Sequence, residues 1–148
     1  MLLHSPHFAA GWNAFLGAIR AQLSLSPRLR ELVTCAVGVL NGADYEVQQH
    51  MQPYLQAGGS AAVLNLLADG PAAWEKSPLL DATEQAALAL AVGMTNSVQI
   101  PVTLIRRMRS HLTSDQQLVE LVGVISAYHM VSRFLVALGI ELEEGPAA

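Results

Sequence analysis

One cysteine, Cys35, in 148 residues leaves no second thiol for an intrachain disulfide or a CxxC redox centre. Charge is also sparse. Asp, Glu, Lys and Arg make up 14% of the chain, against about 25% in an average globular protein. So few charges cover a small monomer poorly, which predicts apolar surface buried between subunits in a homo-oligomer. The basic residues form no long run. Their clusters are Arg28 with Arg30, and Arg106 with Arg107 and Arg109. Neither is interleaved with aromatic side chains, and at a net charge of −4 nucleic acid is not an expected partner. No uninterrupted apolar run reaches the roughly 18 residues that span a bilayer. The opening Met-Leu-Leu-His-Ser-Pro lacks the basic start and long apolar segment of a secretory leader. These absences argue against a membrane partner and make the cytoplasm the expected location. Strand-period alternation is missing too, so the expected class is all-α, with residues 1–148 forming one domain.

What is present is a series of helices with readable ends. Ser5-Pro6 and Ser26-Pro27 each place proline at the tolerated first helical position. Phe8, Trp12, Phe15, Leu16 and Ile19 follow helical spacing behind the first start, and the second helix runs to Leu40. Asn41-Gly42 stops it, because both residues tolerate the left-handed conformation. A third helix is expected from Asp44 towards Ala57, with a kink or break near His50 caused by Pro53. Ser60 caps a short fourth helix to Ala68, and Asp69 to Leu80 reads as irregular connection. Asp81 with Glu84, and Ser114 with Gln117, read as capping boxes. Between them a helix follows Pro101. The last helix should run about 25 residues to Leu138, with Gly139 as its stop. Residues 141–148 read as a frayed tail. The sum is six or seven helices around a central helical hairpin.

Few residues in this apolar chain are equipped for chemistry. Glu46 and His50, four apart, lie on one helix face, where the carboxylate can orient the imidazole. Alternatively they form an ordinary surface pair worth about 0.3–0.5 kcal/mol. Glu31 sits among Leu29, Leu32 and Val33. Burial there raises a carboxyl pKa towards the range a general acid–base needs, unless a salt bridge to Arg30 or another base intervenes. His129 lies mid-way along the last helix, as a catalyst or as a hydrogen-bonded core histidine. Tyr45 and Tyr128 can donate to a substrate oxygen. Cys35 reads as a small buried hydrophobe or as a reactive thiol. His4, His7 and His111 read as surface residues.

The run Ser26-Pro27-Arg28-Leu29-Arg30-Glu31-Leu32, then Leu40-Asn41-Gly42-Ala43-Asp44-Tyr45-Glu46, then His50, resembles the carboxymuconolactone decarboxylase and AhpD-like alkylhydroperoxidase superfamily. His4-Ser5-Pro6 with Trp12 is similar to its first helix. Ala127 to Met130 and Ala137 to Ile140 are similar to its closing helix, so the resemblance covers nearly the whole chain. The peroxidase branch carries a glutamate, a CxxC and a histidine four residues after the second cysteine. Glu31 and His50 match the outer positions, but Ala43 and Glu46 stand where the cysteines would be. Peroxide reduction needs an attacking and a resolving thiol, and neither residue supplies one.

The resemblance therefore implies the cysteine-less, decarboxylase-like branch, which acts on γ-lactone carboxylates without a cofactor. The implied function is a cofactor-free lyase or isomerase acting on a small lactone or carboxylate. His50 would be the proton donor, Glu46 its orienting partner or a second acid–base, and Glu31 a buried tuning carboxylate. His129 and Tyr45 are secondary catalytic candidates, and Arg28 or Arg30 would grip a substrate carboxylate. Trimers, or hexamers built from them, are implied, with dimers as an alternative. Three other readings compete with this one. The chain could be a non-catalytic oligomeric ligand-binding or scaffold protein that has lost its redox pair. Glu46, His50 and His129 could hold a metal, although no metal is needed to explain them. Cys35 could support residual peroxidase activity with an external thiol.

Overall fold

The computed structural model describes residues 1–140, so the tail expected to fray lies outside the described residues. A 3₁₀ turn, Leu2–His4, precedes eight α-helices among the described residues: α1 (Pro6–Ala21), α2 (Pro27–Leu40), α3 (Asp44–Gln56), α4 (Ala61–Ala68), α5 (Pro71–Trp74), α6 (Ala82–Asn96), α7 (Val102–Arg109) and α8 (Asp115–Ala137). The all-α expectation holds, with one helix more than the sequence suggested. That helix, α5, interrupts the stretch Asp69 to Leu80. Trp74 organises this stretch: its indole is buried and its Nε1–H donates to the Leu66 carbonyl at 3.0 Å. One large buried aromatic gives a four-residue segment the anchor that helix propensity does not provide.

The helix starts follow the caps. Ser26 Oγ accepts from Leu29 N–H at 3.2 Å and Ser60 Oγ from Val63 N–H at 3.3 Å. Asp81 and Glu84 make a complete reciprocal box. At α8 only half the expected box forms. Ser114 Oγ caps Gln117 N–H, but the Gln117 carbonyl turns to the backbone N–H and hydroxyl of Thr113. α8 ends at Ala137 after 23 residues, with Gly139 at φ +58°. Pro53 does not break α3, which is continuous through His50. The proline lies in the final turn, so the hydrogen bond it removes is next to an end that frays anyway.

α2 is the centre of the fold. It packs against α3, α4, α6 and α8, and every residue from Glu31 to Gly38 is buried. Its C-terminus closes in a Schellman motif. Gly42, at φ +63°, donates to the Val39 carbonyl, and Ala43 N–H reaches back to Gly38 O at 2.9 Å. That reversal lays α3 directly along α2. Gly38 permits the close approach, since a Cβ there would sit 2.8 Å from Val47 Cγ2 and 3.4 Å from Glu46 Oε1.

By length and mean hydropathy α8 is apolar enough to cross a membrane. In the fold it instead lays Leu118, Leu121, Val124, Ile125 and Tyr128 into the core formed with α2 and α6.

A branched side chain at residue 38 would force α2 and α3 apart. Gly38→Val should cost about 1–3 kcal/mol, the usual penalty of overpacking. Urea unfolding checks this, with a lower midpoint and an unchanged slope as the expected result.

Candidate active site

Glu31 on α2 and His50 on α3 face each other across the hairpin. His50 Nδ1 lies 2.6 Å from Glu31 Oε2, while Arg30 Nε and Nη2 both contact Glu31 Oε1 at 3.0 Å. Burial pushes the Glu31 carboxyl up. The hydrogen bond and charge of His50, then those of Arg30, outweigh it and hold Glu31 below the usual carboxylate value. Glu31 is thus an ionised, paired carboxylate, not the raised-pKa group that its apolar neighbours suggested. An ionised Glu31 accepts, so a neutral His50 carries its proton on Nδ1 and leaves the Nε2 lone pair free. Nε2 has no protein partner among the described residues.

Glu46 does not orient His50, contrary to the helical-spacing expectation. Its carboxyl turns to α8, where Ser132 Oγ lies 3.0 and 3.2 Å from its two oxygens. Only 2% of Glu46 is exposed, and it has no ion-pair partner among the described residues. Desolvation pushes its pKa up to about 8, against a smaller lowering effect from Ser132. The hydrogen-bond count agrees. Ser132 has one hydroxyl proton, and its shortest contact is the Tyr128 carbonyl at 2.7 Å. If Ser132 donates there, a protonated Glu46 donates to Ser132 Oγ and every group is satisfied.

Glu46 and His50 open onto one cavity of about 570 Å³, between α1, α3 and α8. Tyr45, half-buried, and Tyr128 also line it. Burial keeps the Tyr128 phenol protonated, its ring meets His50 edge-on at 4.8 Å, and its hydroxyl has no protein partner among the described residues. The apolar wall comes from Trp12, Leu16, Val131, Phe134 and Leu135. A second Schellman turn at Gly139 brings Ile140 back over Leu135. The last part of the α8 stripe therefore lines the cavity instead of filling the core.

His129 is not part of this site. Its Nδ1 accepts from Asn41 Nδ2 at 2.9 Å, and its Nε2–H faces Thr95 Oγ1 at 3.2 Å, whose own hydroxyl donates to the Ala91 carbonyl. Both ring nitrogens are used by the neutral form. Burial, then the charge of Arg133, moves its pKa down. The ring fastens α8 to α2 and α6. The metal shell imagined from Glu46, His50 and His129 fails with it, and no group of three or more His, Cys, Asp or Glu side chains converges among the described residues. Cys35 is fully buried, and burial followed by the charges of Glu31 and Glu46 pushes its thiol up to about 12.

The carboxylate-gripping arginine expected at Arg28 or Arg30 is at neither position. Arg28 pairs with Glu84 at 2.7 Å and Arg30 is held by Glu31. The cavity's arginine is Arg20 of α1. Its place was written in the spacing Trp12, Leu16, Arg20, three successive positions on one helix face.

The profile of the carboxymuconolactone decarboxylase family matches residues 6–87, from α1 into α6. The chain belongs to that family. The match contains Arg20, Glu31, Tyr45, Glu46 and His50, while Tyr128 and Ser132 come from α8 beyond it. A protein of unknown function from Agrobacterium tumefaciens, provisionally called the antioxidant defence protein AhpD, shares the fold at a TM-score of 0.85 and 21% identity, over 96% of this chain and 94% of that one. An uncharacterised peroxidase-related protein from Silicibacter does so at 0.80 and 21%, over 93% of this chain and 71% of that one. These likenesses establish the AhpD-like fold. No curated protein matches the sequence.

Two measurements check the electrostatics. Glu46 binds a proton up to about pH 8 when folded but only to about 4.3 when unfolded. Its contribution to stability is therefore full below the unfolded value and is lost as pH rises through about 8. Thermal unfolding of Glu46→Gln should show a flatter decline over that window than the native chain. Cys35 should resist a thiol reagent in the folded protein and react fully only after denaturation.

Proposed function

We propose that this family member is a cofactor-free acid–base enzyme, a lyase or isomerase acting on a small lactone or carboxylate. The observation that carries the reading is the opposite treatment of two carboxyl groups at this site, Glu46 on the cavity wall and Glu31 behind His50. Glu31 is ionised and orients His50, while Glu46 is held protonated towards neutral pH. Pairs of groups driven to opposite protonation states assign the acid and the base. His50 Nε2 is the base, and Glu46 is the acid that the sequence reading had sought in His50.

The chemistry follows from those states. In a lyase step the C–C bond to a substrate carboxylate breaks and carbon dioxide leaves. The electron pair delocalises into a neighbouring carbonyl, and the resulting enolate carbon takes its proton from Glu46. In an isomerase step His50 Nε2 removes a proton next to the carbonyl, and Glu46 returns one at the other end of the conjugated system. Both steps build charge on a carbonyl oxygen. The Tyr128 hydroxyl, which stays protonated and has no protein partner among the described residues, is suited to donate to it, with Tyr45 as a second donor. The apolar wall limits water around the intermediate.

Assays with γ-lactone carboxylates, following carbon dioxide release and proton exchange with deuterated water, test the proposal. His50→Ala and Glu46→Gln should each lower turnover by about 10²–10⁴-fold with circular dichroism unchanged. Native activity should fall as pH rises through about 8, where Glu46 loses its proton. Tight binding with no product and no exchange would favour a ligand-binding protein instead.

A further inference from the structure

Besides Tyr45 and Tyr128, the ionisable side chains lining the cavity are Arg20, Glu46 and His50. Their charges do not cancel. The Glu31 carboxylate behind His50 is balanced by its own contact with Arg30, and Glu46 has no ion-pair partner among the described residues. Among the described residues, Arg20 is the cavity-lining side chain whose charge has no partner. Its Nε–H donates to the Leu16 carbonyl at 3.0 Å, one turn back on α1, which fixes the direction of the guanidinium. Both Nη groups remain without a hydrogen-bond or ion-pair partner among the described residues. The planar end of an arginine held this way matches the two oxygens of a carboxylate. Around it, Trp12, Leu16, Phe134 and Leu135 offer apolar and aromatic surface.

We infer that Arg20 is the specificity-determining anchor of this cavity, and that the ligand it selects is a hydrophobic carboxylate whose anionic end docks on the guanidinium. This deepens the acid–base reading by naming its substrate class. The anchored carboxylate is the one that is kept through the reaction, because pairing with a cation stabilises a carboxylate against losing carbon dioxide. In a lyase step the group that departs is a second carboxylate, placed in the uncharged surroundings of Glu46 and the tyrosines. A substrate with a single carboxylate is restricted to the isomerase step.

Binding tests this without relying on turnover. Isothermal titration at pH 7 would compare 4-phenylbutyrate with its neutral isostere 4-phenylbutanamide. The native chain should bind the acid about ten-fold or more tightly than the amide. Arg20→Gln should remove that preference and leave amide binding unchanged. Arg20→Lys, which keeps the charge but not the fork, should restore part of it. Arg20 is exposed, so these variants disturb the fold little. An acid that binds no more tightly than the amide, including no detectable binding of either, overturns the inference. So does a preference that survives Arg20→Gln. The two readings fail separately. An Arg20-dependent acid preference in a protein that turns nothing over removes the enzyme proposal alone, whereas His50-dependent turnover without any acid preference removes the anchor alone.

Discussion

The hydrogen bond between Glu31 and His50 is the contact on which the rest of the arrangement depends. α2 is buried along its whole middle, and a carboxylate at its centre would be untenable without a partner. His50 at 2.6 Å and Arg30 at 3.0 Å supply the partners. To bring His50 there, α3 must run close against α2. The Gly42 reversal sets its direction and Gly38 clears its path. One consequence is forced. Glu46 is one turn before His50 on the same helix, so orienting the histidine inward takes Glu46 inward as well. Arg30, the arginine of the neighbouring helix, is already committed to Glu31. The second carboxyl finds only a serine hydroxyl, and its remaining recourse is to keep its proton.

The asymmetry between the two carboxyls comes mainly from packing between helices, with Arg30 as the one contribution from an adjacent residue. Glu31 has Leu29, Leu32 and Val33 around Arg30 in the chain and is ionised. Glu46 has polar neighbours and resists ionisation. What separates them is the third helix. α8 presents Ser132 and the Tyr128 carbonyl to Glu46, while Arg30 reaches Glu31 from its own helix. α8 also serves both core and cavity. Its first turns pack into the core, and its last turns, with Phe134 and Leu135, are left facing the space beside α1.

Local signals made most of the fold legible, because caps and reversals act within a few residues. Ser26, Ser60, Asp81 with Glu84, and Gly42 do in the structure what their positions suggested. The failures share a cause: contacts between segments far apart in the chain. α5 exists because Trp74 finds a place in the core and a carbonyl on α4. Glu46 leaves the i, i+4 partnership because Ser132, 86 residues away, competes for it. His129 read as either a catalyst or a hydrogen-bonded core histidine, and Asn41 and Thr95, both distant in the chain, decide for the second by occupying both its nitrogens. Arg20 shares a helix face with Trp12 and Leu16 on α1, but Arg28 and Arg30 stand nearer to Glu31 in the chain, and chain proximity favours them.

The replacement of the expected cysteines is easier to understand once the state of Glu46 is known. A free thiol ionises near pH 8.5. Buried beside Ser132, Glu46 ionises at about 8. The position one turn before His50 therefore carries a group that holds its proton towards neutral pH and contains no sulfur to be oxidised. Cys35 cannot make good that loss, since it is sealed in α2 with its thiol pushed up to about 12 and has no second thiol to resolve it. The Glu31–His50 pair needs no change in either case, because an oriented imidazole serves proton movement whether the acid beside it is a thiol or a carboxyl. In the proposed reading, a glutamate at residue 46 serves proton transfer and offers no group that can be oxidised as a thiol can.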